Sequence, residues 1–242
     1  LTDDEEAIAA ALAALAALDA DHPRGVPRGA QPWEMPLHTP DILAAARLVR
    51  CFTLGHLLSG DPAHLARARQ WAWRGATMVY LDPPVPGPVG TYATIGVLGA
   101  THWRAPNWIG QPVQWCGLVY AAALQDLARV DVPLGDTWRA LGRGITRCGV
   151  QMTFPADDAR GRGGLLPDYW LLAAGRGDGP AINPGTLQAS LAGAFDARPL
   201  VSLARIAAGP AEGGIVHVAG ALVSQRASGA SLALDIDTWP AD

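Results

Sequence analysis

Two stretches of this chain read as pairs of helices joined by turns so short that the partners must pack antiparallel, and this plan limits the fold more than any other feature. The first opens at Thr39-Pro40, with the hydroxyl as N-cap and proline in the first turn, and runs through Ile42, Leu43, Leu48 and Leu54 to Gly60. Asp61-Pro62 at once starts its partner, which continues through Leu65, Trp71, Ala72 and Val79, so 39–80 is a helix hairpin. The second runs from Pro112 to near Arg129, periodic in Val113, Cys116, Val119, Tyr120 and Leu127. After Val132-Pro133-Leu134-Gly135, the Asp136-Thr137 pair opens its partner, which ends near Met152. A helix over 3–20 precedes them, with Ile8, Leu12, Leu15 and Leu18 on one face and Asp3, Asp4, Glu5 and Glu6 at its start. Shorter helical stretches are expected at 185–195 and 199–208. The plan repeats, but no sequence repeat accompanies it.

After Gly213-Gly214 the texture changes. Ile215 to Val218, Ala221 to Val223, a turn at Ser228-Gly229, and Leu232, Leu234 and Ile236 alternating with Ser231, Ala233, Asp235 and Asp237 predict a β-hairpin, with the two aspartates on its solvated face. Two strands alone are marginal in water, so they read as the start of a β-domain. The expected organisation is a helical domain over 1–212 and an antiparallel β-domain beginning at 213–242. The first residue is Leu1 rather than Met and the last strand closes nothing, which suggests a piece of a longer chain; no compartment can be read from it.

With 242 residues, half of them hydrophobic and 17% charged, the chain can bury a full core without disulfide or metal staples. All eighteen basic residues are arginines, scattered and outnumbered by acids for a net charge of -4, which argues against nucleic acid and anionic membranes as partners. No apolar run approaches the roughly 20 residues that span a bilayer. Cys51, Cys116 and Cys148 stand far apart and read as small core residues.

The polar chemistry is expected in three long connections, about 21–38, 81–111 and 153–184, because structureless loops of that length are usually functional. In an up-and-down array the tight turns share one end, so these connections must converge on the other. Four of the nine tryptophans lie in them. The first holds Trp33, Glu34 and His38 and leads through Asp41 into its helix; the second holds Tyr92, Thr101, His102, Trp103, Asn107 and Trp108; the third Asp157, Asp158, Asp168, Tyr169, Trp170 and Asn183. Indole and phenol faces beside carboxylates and amides suit a sugar, whose C–H face stacks while its hydroxyls take hydrogen bonds.

Helix hairpins with long loops on one rim and a following β-domain resemble the (α/α)-toroid enzymes acting on carbohydrates, the six-hairpin glycosidase-like group and its polysaccharide-lyase relatives. The segments Trp33-Glu34-Met35-Pro36-Leu37-His38-Thr39-Pro40-Asp41 and Gly99-Ala100-Thr101-His102-Trp103-Arg104-Ala105-Pro106-Asn107-Trp108 also look like those of uncharacterised bacterial proteins placed in that group. The resemblance implies a partial toroid, since a complete ring needs about a dozen helices, and a glycoside hydrolase acting on an oligo- or polysaccharide without a cofactor.

Glu34, flanked by Trp33 and Met35, and Asp168, between Leu165-Leu166-Pro167 and Tyr169-Trp170, are the candidate carboxylate pair: an apolar setting raises a carboxyl pKa, as a general acid requires. The bland alternatives are a carboxylate that caps a helix or pairs with an arginine, and a helix N-cap at Asp168. Trp33, His38, Tyr92, Trp103, Asn107, Trp108, Tyr169 and Trp170 are the expected substrate contacts. His102, with Tyr92 and Asn107, supports the lyase alternative that the resemblance implies, in which Asn neutralises a uronate carboxylate while His or Tyr removes the proton at C5, and Arg104 would help hold the acid group; the plainer reading has His102 and Asn107 bonding a long loop to itself. A non-catalytic sugar-binding protein is the third reading. Pro36 and Pro40 disfavour a metal at Glu34, His38 and Asp41, Asp157-Asp158 reads as a solvated turn rather than a Ca²⁺ loop, and Arg176-Gly177-Asp178 as a chance match to an adhesion tripeptide. Trp71, Trp73, Trp115 and Trp138 read as packing between helices.

Overall fold

The structure, a computed structural model, describes residues 4–29, 39–87, 89–99, 108–195, 201–205, 215–219, 221–228 and 231–237. It is mainly helical, with small antiparallel pairs of strands. Helix α1 spans Glu5–Ala20, capped by Asp4, whose carboxylate accepts from the amides of Glu6 and Ala7. Helices α2 (Ile42–Ser59) and α3 (Pro62–Ala76) form the first hairpin, and α4 (Gln114–Val130) and α5 (Gly135–Gln151) the second. Gly60 ends α2 in the left-handed conformation, and Asp61 caps α3 over a first-turn proline.

The cap of α2 is Asp41 rather than Thr39. Fully buried, its carboxylate accepts from the amides of Leu43 and Ala44, while the Thr39 hydroxyl donates to the Gly99 carbonyl at 3.2 Å. An ionised acceptor beats a hydroxyl at a helix N-terminus, and Pro40 keeps Thr39 out of the first turn. Helix α5 starts at Gly135 with no side-chain cap, and Asp136 instead meets Arg139 at 2.8 Å.

The connection at 153–184 is not structureless. It contains the antiparallel pair β1 (Leu166–Leu171) and β2 (Arg176–Ile182), after which α6 spans Gly185–Ala194. Arg-Gly-Asp-Gly-Pro reads locally as loop; β2 forms because β1 supplies its partners and β1 is itself anchored, the Trp170 amide donating to the Pro112 carbonyl and the Leu172 amide to Gln111 Oε1. The helix expected at 199–208 is strand β3 (Val201–Arg205), paired antiparallel with β4 (Ile215–Ala219). Pairing outweighs the helical propensity of Leu, Ala and Arg there. The hairpin of β5 (Ala221–Ser228) and β6 (Ser231–Asp237) matches the alternation, with Asp235 exposed.

Helix α4 is central, touching α2, α3, α5, α6 and β1. Its Leu124 and Leu127 join Phe52, Trp71, Trp138 and Ile145 in the main core, and Leu118 joins Val89, Met152, Leu166 and Leu187 in a smaller one nearer the strands. Helix α2 is long and apolar enough to cross a membrane, yet it packs between α3 and α4 as a core helix. Cys116 and Cys148 are buried, and burial pushes the Cys148 thiol up to about 12; Cys51, expected in the core, is exposed. Trp71 and Trp138 are buried, whereas Trp73 is half exposed with its ring 4.7 Å from that of Trp138.

Candidate functional site

Backbone bonds gather the described parts of the long connections at one end of the helices. The Asp41 amide donates to Pro27, Ile42 to Gly96, Leu98 to Pro40, Tyr80 to Ala93, Ile95 to Met78 and Val113 to Thr94. The starts of α2 and α4 and the end of α3 are thus stitched to the single segment 92–98. The tight turns lie at the other end of α2 and α4, about 25 Å away at 1.5 Å per residue. Thr39 and Gly99, joined by a hydrogen bond, flank 30–38 and 100–107 respectively, and Trp108 follows the second of these segments.

The buried Gln114 side chain locks this junction. Its Oε1 accepts from the Thr94 amide at 2.9 Å, and its Nε2 donates to the carbonyls of Ile145 at 2.9 Å and Tyr92 at 3.2 Å. Tyr92 has φ +72°, in the left-handed region that a bulky residue rarely enters, and its ring lies on Gly144, where an added Cβ would be 2.6 Å away.

Asp168 stands in β1, not at a helix N-cap. The β1–β2 register slips between Pro167 and Tyr169, so Asp168 faces a bulge in β2 formed by Gly179 and Pro180. Gly179 has φ +78°, and a Cβ there would lie 2.8 Å from that of Asp168. The partly buried carboxylate accepts from two indoles: Trp115 Nε1 to Oδ1 at 3.1 Å and Trp108 Nε1 to Oδ2 at 3.2 Å. The two rings meet edge to face, 5.7 Å apart at 74°. Burial pushes the Asp168 carboxyl above the usual carboxylate range, and the indole N–H groups, which favour the ionised form, pull only part of the way back. Among the described residues no cation pairs with it.

The other expected site residues divide. Trp33, Glu34, His38, His102, Trp103 and Asn107 lie outside the described residues. Trp108 is 6% exposed, so what it offers the rim is its N–H rather than a ring face. Tyr169 and Trp170 are partly buried, packed against the main and the smaller core respectively, and the buried Trp170 indole N–H has no partner among the described residues. Asp158 is held by Arg162, whose guanidinium contacts both its oxygens at 3.0 and 2.7 Å and keeps its carboxyl below the usual range. No group of three or more metal-ligating side chains occurs among the described residues.

The residue that sequence reasoning missed is Trp115, read there as inter-helix packing. A signal existed: it lies three residues after Pro112, in the first turn of a helix that begins on the rim. Compared with family models, curated proteins and solved structures, the chain finds no match.

Proposed function

We propose that this protein is a carbohydrate-active enzyme built on part of an (α/α)-toroid, a glycoside hydrolase acting on an oligo- or polysaccharide, with Asp168 as its general acid and Glu34 as the second carboxylate. One observation carries the reading: a partly buried carboxyl on the loop rim, oriented by two indole N–H groups with no pairing cation among the described residues, keeps its proton to higher pH than an ordinary aspartate. Such a group protonates the leaving glycosidic oxygen as the C–O bond breaks. Glu34, eight residues upstream of the start of α2 at Ile42, activates water or attacks the sugar carbon. Trp33 and Trp103 supply ring faces for the sugar, and His38, Asn107 and Tyr169 its polar contacts.

The test is reducing-end release from a panel of neutral and uronate-containing polysaccharides by the wild type, Asp168→Asn, Glu34→Gln and His102→Ala. Hydrolysis should fall at least about a hundredfold in each of the first two variants and persist in the third. Unsaturated, ultraviolet-absorbing products that survive Glu34→Gln and vanish in His102→Ala would replace hydrolysis with lyase chemistry. Sugar binding without turnover would leave a binding protein.

A further inference from the structure

We propose that Trp115, together with Trp108, is a positioning residue whose indole N–H fixes the plane of the Asp168 carboxyl. The assignment of a catalytic task to that carboxyl rests on the function proposed above; the clamp itself does not.

Each carboxylate oxygen takes one donor, from elements that reach Asp168 by different routes: Trp115 from the first turn of α4, Trp108 from the turn that precedes it. Two donors on two oxygens remove rotation about the Cβ–Cγ bond, while each oxygen keeps a second lone pair for a proton or a substrate hydroxyl. The edge-to-face contact of the indoles holds the donors in fixed relation, and the bond from the Trp170 amide to Pro112 locks the strand carrying Asp168 to the segment leading into α4. Asp131 provides an internal comparison. It too accepts an indole N–H, from Trp138 at 2.8 Å, but it also takes a bidentate guanidinium from Arg69, and its carboxyl is held below the usual range. At Asp168 a second indole stands where Asp131 has a guanidinium, so both oxygens are held with no cation among the described residues. That is the arrangement for orienting a carboxyl without forcing it to ionise.

The experiment follows the nine indole N–H resonances of the wild type by ¹H–¹⁵N NMR across pH 3 to 8, beside the ¹³C carboxyl signal of Asp168. Two indoles should shift with the Asp168 midpoint and lose that response in Asp168→Asn. Trp115→Phe, which keeps a ring and removes the donor, should raise the Asp168 midpoint by about one pH unit and carry the alkaline limb of kcat/KM upward by the same amount. Indoles blind to the titration, or a midpoint unmoved in Trp115→Phe, overturn the clamp; the wild-type indole response decides the matter even if the variant fails to fold. A clamp that titrates as described in a protein inactive on every polymer would stand while the hydrolase reading fell. Hydrolysis with a pH limb indifferent to Trp115→Phe would sink the positioning role and leave the hydrolase.

Discussion

Replacing Arg69 with methionine should expose how the far end of the array is held. Asp131, in the turn between α4 and α5, has no exposed side-chain surface, while Arg69 on α3 is about one-third exposed. Their contacts are 2.9 Å from Nε to Oδ2 and 2.7 Å from Nη2 to Oδ1, and Trp138 Nε1 adds a third donor at 2.8 Å. Burial alone would raise the Asp131 carboxyl; the Arg69 and Trp138 hydrogen bonds outweigh it and hold the group low. Breaking a buried pair by removing one partner costs about 3–5 kcal/mol. The partial exposure of Arg69 and the surviving indole bond place this case lower, at about 2–3 kcal/mol, or about 5–10 °C in Tm for a chain of this size. The sign with pH follows from the two carboxyl states. In the wild type a depressed pKa contributes stability that is complete above the unfolded value near 4 and is lost as pH falls through the folded one. In the variant burial is opposed only by the Trp138 indole and the Leu134 amide, so the pKa rises relative to the wild type and protonation relieves the deficit as pH falls. The deficit, measured by urea unfolding, should therefore be largest near pH 7 and shrink toward pH 4. A deficit below about 0.5 kcal/mol, or one flat across that range, would refute this account of the pair.

Asp41→Ala should cost about 1–2 kcal/mol in urea unfolding, because two amides of a buried helix N-terminus lose their acceptor; Thr39→Val should cost less, and equal costs would return the cap to Thr39. Gly179→Ala should destabilise by about 1–3 kcal/mol, since φ +78° and the approach to Asp168 both disfavour a Cβ. If that variant melts like the wild type and its Asp168 titrates unchanged, the bulge does not position the carboxyl.

The helices were legible because their signals are local. Asp61-Pro62-Ala63 announces its own helix start, Gly60 its predecessor's end, and the leucine spacing of 8–18 marks the face of α1 that rests on α2. The β1–β2 pair was hidden because its cause is not local: Gly177, Gly179 and Pro180 weaken β2 as a strand, and it exists through pairing with a β1 already bonded to Pro112. Strand β3 failed for the same reason, its partner Ile215–Ala219 lying beyond the reach of any helical window. At α2 the error was one of competition. Thr39 and Asp41 are both good caps, and Pro40 and the Gly99 carbonyl decide between them.

The same limit governs the site. An acid between Pro167 and Tyr169 could be singled out from its neighbours, but nothing beside Asp168 distinguishes it from Asp131, which precedes Val132-Pro133 in an equally apolar stretch. What separates them arrives from afar: Arg69, 62 residues from Asp131, against Trp115 and Trp108, 53 and 60 residues from Asp168. A guanidinium makes one aspartate a strut between helices. Among the described residues only indoles meet the other, which leaves that carboxyl oriented without a cation to force its ionisation; the difference is set by which side chains the fold delivers, and Trp115 reaches Asp168 only because α4 begins beside β1.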